Sequence, residues 1–387
     1  MTTADGALLA PSLPAADRTL LLRALLLERD GARRAWQQWR ARHPSLLDVL
    51  RRERTDAVAA LLPLLQRQAE RHDLELSPAE ATRLRTASLR EELRARLYAE
   101  VFGRMSDGLE QAGVAFLVLG GRPLAERLYE RPELHHTGPA EIVIGESDAA
   151  AAAAALVAAG FRDHGRAGEA AWMRRRFEDN SGLVVAVGHT VLPHPHYHLA
   201  APHVWKDAIV MSAAQRRVRT PALHDQLAAC CVRGAWTGSR RSLLWMIDAA
   251  LLARCEALRW PVLEQRLQQG HLSLPLAVVL GYLRATLEAP VPQEVVDRAS
   301  RMQVSRLDLQ VALAAAAAAT DTSLAQLLAA LRRSRRWGVG VRWAVRPDAT
   351  VREWESGQPR PQPSLAAALQ RPLGFVARRV RSAIHAR

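Results

Sequence analysis

A single lysine, Lys206, stands among the 53 basic residues of this 387-residue chain, so nearly all of its positive charge is arginine. Cysteine is scarce as well: Cys230, Cys231 and Cys255 are the 3 present. Their number and helical-looking surroundings do not make a disulfide framework, and no Cys-x-x-Cys pair exists to hold zinc. That usage suits a reducing cytoplasm. Long apolar runs are missing too. Leu20 to Leu27 is interrupted by Arg23 and is too short to cross a bilayer. The N-terminus has neither a basic n-region nor a long apolar core, so no signal peptide, no membrane span and a cytoplasmic location are expected. No Ser-His-Asp constellation can be assembled from local sequence.

What is present is a chain long enough for two or three packed units. Its hydrophobic content of 49% is ordinary for a globular protein, and its formal charge is +14. An excess of that sign suits an anionic partner such as nucleic acid, a nucleotide or a membrane surface. The abundance of Arg with Ala also has the look of a GC-rich genome's codon bias, which accounts for the charge without any partner.

The chain divides into five stretches. Residues 1–16 read as a disordered N-terminus rich in Ala, Pro and Thr. Residues 17–112 read as a helical region. Asp17 is a plausible N-cap for a helix through about Arg29, Gly31 breaks it, and Trp36 and Trp39 then share one side of a second helix. Ser77-Pro78 starts a long helix whose Leu84, Leu89, Leu93, Leu97, Val101 and Met105 recur near helical spacing, with Glu91, Glu92, Arg94 and Arg96 as its solvated face. Residues 113–215 read as an α/β core, and 216–331 as helices again, the first capped by Thr220-Pro221. Residues 332–387 form a basic tail in which Trp337 and Trp343 interleave with arginines. The expected fold class is α+β, mostly helical, with a small mixed sheet between two helical regions.

The core opens on the most informative stretch, Phe116 to Ile144. An apolar run ends in Gly120-Gly121, Pro123 opens an amphipathic segment through Tyr129, and a second apolar run follows at Ile142 to Ile144. Strand, glycine turn, helix, strand is the simplest reading. Such a turn presents backbone N–H groups at a helix N-terminus, a natural place for phosphate, and Arg122 and His135 would add positive charge there. Glu141 sits at the mouth of the second strand, where a metal-holding carboxylate would project. Ala171 to Glu178 and Leu183 to Val187 read as further strands around an Asn180-Ser181-Gly182 turn.

These residues carry a resemblance to the uncharacterised nucleotidyltransferase family, which shares the minimal nucleotidyltransferase fold. Leu119-Gly120-Gly121 stands where that family has Leu-Lys-Gly. Leu124, Leu128 and Tyr129 match its helix, Gly138 its Arg-x-x-Gly-Asp-x-Asp segment, and Ile142-Val143-Ile144 its next strand. Trp236 and Leu244-Trp245-Met246-Ile247-Asp248 resemble its Leu-x-Trp-x-x-Asp segment. The chemical positions differ. Gly120 replaces the Lys, His135 the Arg, Pro139 the first Asp and Glu141 the second. Val187 replaces the Asp of the family's Asp-x-His, while His189 keeps the His. The family also often has a His before a Gly where this chain has Arg233-Gly234. The resemblance implies nucleotidyl transfer with a nucleoside triphosphate and Mg²⁺, and an accessory role in polysaccharide or peptide natural-product biosynthesis, usually bacterial. One Glu does not easily replace three acids around Mg²⁺.

Two other features carry chemistry. His194, His196 and His198 in His-Pro-His-Tyr-His fall at alternate positions, on one side of an extended strand, where imidazoles would bind zinc; exposed histidines in a Pro-rich loop are the plainer reading. The Trp/Arg segment at 332–346 would stack bases or clamp phosphates of a single strand, or simply pack its tryptophans on the helices.

Three functional readings follow. In the first, the chain is a nucleotidyltransferase-family protein with a degenerate metal site, acting as a non-catalytic nucleotide- or phosphate-binding or scaffold subunit. Gly120, Gly121 and Arg122 would hold the phosphate, and a protein partner would come from the same pathway. In the second it is an active transferase with a remodelled site using Glu141 with His189 or His135. In the third, ranked lowest, the basic tail binds single-stranded nucleic acid.

Overall fold

The lead-in helices close around a tryptophan pair. In the computed structural model, which describes residues 13–53, 57–165, 174–192, 196–237, 242–267, 270–305, 307–309 and 311, the chain begins with α1 (Ala16–Leu26), α2 (Arg29–Arg42), α3 (Leu46–Arg52) and α4 (Leu62–His72). Trp36 and Trp39 stack with ring centroids 5.1 Å apart, and the Trp36 indole donates to the Glu75 carbonyl at 3.0 Å. The break between the first two helices falls at Leu27, which is extended, rather than at Gly31. Gly31 lies inside α2, where a Cβ would come within 3.1 Å of the Leu27 side chain. It is a point of close approach, and Asp17 lies within the first turn of α1 rather than capping it.

Ser77 and Pro78 start the 34-residue α5 (Pro78–Gln111) through a reciprocal capping box with Glu80. The same Glu80 accepts the Leu46 N–H at 2.7 Å, tying α3 to the start of the long helix. The apolar stripe expected of α5 divides. Leu84, Val101 and Met105 are buried, but Leu89, Leu93 and Leu97 are exposed. Conversely Glu91, expected on the solvated face, is buried. Its carboxylate receives the Thr137 N–H at 2.7 Å, and Arg94 donates to the Thr137 carbonyl at 2.6 Å. The helix is rotated so that its charges grip a loop of the α/β unit, and the buried Glu91 carboxylate is satisfied by the Thr137 N–H and by His136, whose Nδ1 lies 2.9 Å away.

That unit is a mixed sheet. β1 (Phe116–Leu119) leads through a glycine turn to α6 (Gly121–Leu128), then to β2 (Ala140–Ile144), α7 (Ala149–Ala158), β3 (Arg162–Asp163), β4 (Arg175–Glu178) and β5 (Val184–Gly188). The strand order is β1-β2-β5-β4-β3, with β2 and β5 parallel and the other pairs antiparallel. The turn between β4 and β5 has Gly182 at φ 80, and Asp179 accepts the backbone N–H groups of Ser181 and Leu183. Of the strand expected from Ala171, residues 171–173 lie outside the described residues, as do His194, the tail 332–387 and most of 1–16.

After β5 come α8 (Ala201–Asp207) and an unforeseen hairpin, β6 (Ile209–Ala213) and β7 (Arg216–Thr220). Thr220 ends β7 instead of capping a helix. Its hydroxyl accepts from Gln226 in α9 (Leu223–Thr237) at 3.2 Å. The C-terminal helices are α10 (Leu244–Ala253), α11 (Trp260–Leu267), α12 (Ser273–Leu287) and α13 (Gln293–Arg301).

Alternation along the strands divides the buried residues between the two faces of the sheet. Val118, Ile142, Ile144 and Phe177 pack with Tyr98, Phe102 and Met105 of α5. Leu117, Leu119 and Val143 face the other way, with Val191 and Val204. A larger apolar cluster joins the lead-in helices, α6 and the C-terminal helices, with Leu84 and Ala87 of α5 among its members. The architecture is α+β and mostly helical. No described helix is long and apolar enough to cross a membrane.

Candidate functional site

The C-terminal end of β1 is where the sheet opens. Gly120 and Gly121 have φ of 41 and 48, a left-handed backbone that side chains rarely tolerate, and a Cβ on either would meet nothing within 4 Å. The two glycines therefore border open space. That space is a cavity of about 290 Å³ between the sheet and the C-terminal helices. Gly138, Pro139, Glu141, Arg174, Arg176, Ala186, Arg233 and Asp248 help to line it.

Glu141 reaches the cavity because of register. It pairs with Leu119 on one side and Ala186 on the other, and it shares the face of Leu119 and Val143. Arg233, projecting from α9, grips its carboxylate in bidentate fashion, with contacts of 3.1 and 2.7 Å to the two oxygens. Arg174 Nε lies 3.5 Å from the same carboxylate. Arg174 is anchored in turn, donating to the carbonyls of Ile142, Thr190 and Val191. Burial opposes the charge on Glu141, but Arg233 and then Arg174 outweigh it and hold the carboxyl below its ordinary range. Burial pushes Arg174 down to about 10, against the pull of Glu141. The pull of Glu141 on Arg233 overcomes burial and raises that guanidinium. Arg176, half-buried at the same wall, forms no ion pair with a described residue.

A second polar group closes the far side. Tyr129 donates to Asp248 Oδ1 at 2.7 Å, and His135 Nε2 lies 3.2 Å from Asp248 Oδ2. All three side chains are buried. Burial opposes protonation of His135, but the Asp248 carboxylate outweighs it and raises the imidazole. Burial, with Asp248 adding to it, pushes the Tyr129 hydroxyl well up. This group joins the end of α6 to α10. His136 and Thr137 are held by Glu91, so the loop entering β2 is fixed from two sides.

The sequence candidates therefore separate. Gly120, Gly121, His135 and Glu141 line one cavity. His189 follows β5, half-exposed, and is not among the lining residues. Arg122 turns away from the cavity. It pairs with Glu126 at 2.9 Å, and Glu126 also accepts the Ala214 N–H of the β6–β7 turn. Val187, read as the missing-acid position on β5, packs in the sheet's other face with Ile142 and Phe177. The β5 residue facing the cavity opposite Glu141 is Ala186. His196 and His198 lie in no strand, yet both rings neighbour His271, with centroids 4.6 and 5.9 Å from it, and His196 also contacts Asp308 at 2.6 Å. The reading from sequence missed Arg174 and Arg176 altogether. Arg233 and Asp248 stood out only as places in a family pattern.

A glycine turn at the mouth of a small mixed sheet, opening on a cavity roofed by helices, is a nucleotidyltransferase-type arrangement. The chain belongs to the uncharacterised nucleotidyltransferase family, whose sequence model matches residues 51–288. Neither a curated protein nor a solved structure matches it.

Proposed function

We propose that the cavity is a degenerate nucleotidyl-transfer site that holds a nucleotide or another phosphate through arginine rather than through metal. On this reading the chain acts as a non-catalytic binding or scaffold subunit beside a protein partner, in a pathway that builds a polysaccharide or a peptide natural product. The observation that carries the proposal is the state of Glu141. Mg²⁺ takes a near-octahedral set of oxygens, usually including one or two carboxylates. Here Pro139 and Ala186 contribute no acid, Glu141 is already engaged by two guanidinium groups, and the cavity's other carboxylate, Asp248, is engaged by Tyr129 and His135. An ion placed there would have to displace Arg233 and then sit beside two cations. The residues present do not fit Mg²⁺. They fit an anion: Arg174, Arg176 and Arg233 face the cavity together with the Gly120-Gly121 turn.

The test is calorimetric titration with each nucleoside triphosphate and with pyrophosphate, with and without Mg²⁺. Binding should persist in chelator, and Arg176→Ala should weaken it by about tenfold or more, the order expected for one charged hydrogen bond. Mg²⁺-dependent binding that Glu141→Gln abolishes would refute the proposal and restore a catalytic reading. Failure to bind any of these phosphates would refute its nucleotide-binding part.

A further inference from the structure

Away from the cavity, three segments distant in sequence converge on one carboxylate. His196 lies between β5 and α8, His271 in the turn before α12, and Asp308 beyond α13. His196 Nε2 is 2.6 Å and His271 Nδ1 is 3.0 Å from the same oxygen, Asp308 Oδ1. One donor atom from each of the three residues lies within 4.8 Å of the other two. Two imidazoles and a carboxylate are a zinc donor set. Bonds of about 2.0–2.2 Å in a tetrahedron place neighbouring donors roughly 3.4 Å apart, so the short contacts need open by less than about 1 Å to admit the ion.

The surroundings favour an ion over a plain hydrogen-bonded cluster. Asp308 is fixed from behind, because its Oδ2 accepts the Ser305 N–H at 2.7 Å and its own N–H donates to Ser305 Oγ at 3.1 Å. That arrangement aims Oδ1 at both imidazoles, as an outer partner orients a metal ligand. His271 has φ 59, a left-handed conformation that is uncommon for a non-glycine residue and tends to collect at ligand sites. The preceding Gly270 allows the approach, since a Cβ there would fall 1.9 Å from the His198 carbonyl oxygen. The His196 and Asp308 side chains are 8% and 6% exposed, whereas His271 is 46% exposed. The cluster is walled on two sides and open on the third, where water would complete the coordination.

We propose that His196, His271 and Asp308 form a zinc site that ties the segment after β5 to the two ends of the α12–α13 pair. It is independent of the phosphate cavity. The experiment uses the full chain without an affinity tag, stripped with chelator and titrated with Zn²⁺ by calorimetry. Co²⁺ serves as a spectroscopic probe in a parallel titration, and thermal melts are run with and without zinc. One zinc per chain should bind, Co²⁺ should show the intense visible bands of a four-coordinate ion, and zinc should raise the melting temperature. His271→Ala removes a largely exposed ligand. It should weaken zinc binding by at least about 100-fold, the upper end of what loss of an outer partner alone costs, and remove the melting shift. His203→Ala, on an exposed histidine of α8, should leave both unchanged. Asp308→Asn keeps the side chain's shape and should repeat the His271→Ala result if that variant does not fold. No binding of either ion would overturn the proposal, as would zinc binding of undiminished affinity in the folded variants.

Discussion

Removing Arg233 tests the physical basis of the cavity most directly. The guanidinium makes two short contacts with Glu141, whose side chain is 17% exposed against 36% for Arg233. Breaking a fully buried ion pair costs about 3–5 kcal/mol, because the partner is left charged and dry. An exposed pair is worth about 0–1 kcal/mol. This pair lies between those limits, and Arg174 remains 3.5 Å from the carboxylate in the variant. Arg233→Ala should therefore destabilise the protein by about 1–3 kcal/mol at neutral pH, read by urea denaturation. The sign with pH follows from the lowered carboxyl of Glu141. Its stabilising contribution is complete above the unfolded value of about 4.3 and is lost as pH falls through the folded value. The gap between wild type and variant should thus be widest above about pH 4.3 and close on further acidification. A variant as stable as the wild type at neutral pH, or a gap that widens in acid, would refute the assignment of Glu141 as an arginine-neutralised carboxylate. Gain of Mg²⁺-dependent nucleotide binding in Arg233→Ala would show that the arginine had merely displaced an ion.

Other perturbations reach other parts of the site. Asp248→Asn should cost about 1–3 kcal/mol in denaturant, by leaving His135 without its carboxylate. Because the His135 pKa is raised, the stability it contributes is complete below the unfolded value of about 6.5 and fades as pH rises through the folded value; Asp248→Asn should abolish that alkaline decline. Gly234→Ala should destabilise by about 1–3 kcal/mol through overpacking, since the new Cβ would fall 2.1 Å from the Trp245 ring. Trp245 lines the cavity, so its fluorescence should shift in the same variant. Glu91→Ala should cost about 1–3 kcal/mol and weaken phosphate binding, because it releases the loop that enters β2.

The fold was largely legible because its signals were local. The Ser77-Pro78 cap, the Gly120-Gly121 turn and the apolar runs on either side of it each announce their own conformation. The β6–β7 hairpin was not legible. Its turn residues, Ala214 and Gln215, take φ of 53 and 64 without the Gly or Asn that usually marks such a turn. The stripe on α5 misled for a different reason. Spacing gives the period of a helix but not its rotation, and burial of Glu91 rather than Leu93 is decided by the loop that meets it. At the site, sequence set Glu141 at the mouth of the strand that borders the cavity. It gave no sign that arginines from a strand end and from a distant helix would meet there, because that meeting depends on how α9 lies across the sheet. Pairing register also decides which β5 residue faces Glu141, and a one-residue difference separates Ala186 from Val187.

The long helix α5 has a consequence for how the molecule comes apart. At 1.5 Å per residue its 34 residues form a rod about 51 Å long. One part of it, at Leu84 and Ala87, belongs to the large helical cluster, and another, from Tyr98 to Leu109, is the floor of the sheet. Neither core can be lifted off without stripping a face of the same helix. The junction between lead-in helices and sheet is thus a landmark in the sequence but not a seam for melting. Amide protons along the middle of α5 should exchange with solvent only when the whole chain opens. A fragment ending at Gln111 would bare Tyr98, Phe102 and Met105 and aggregate rather than fold alone.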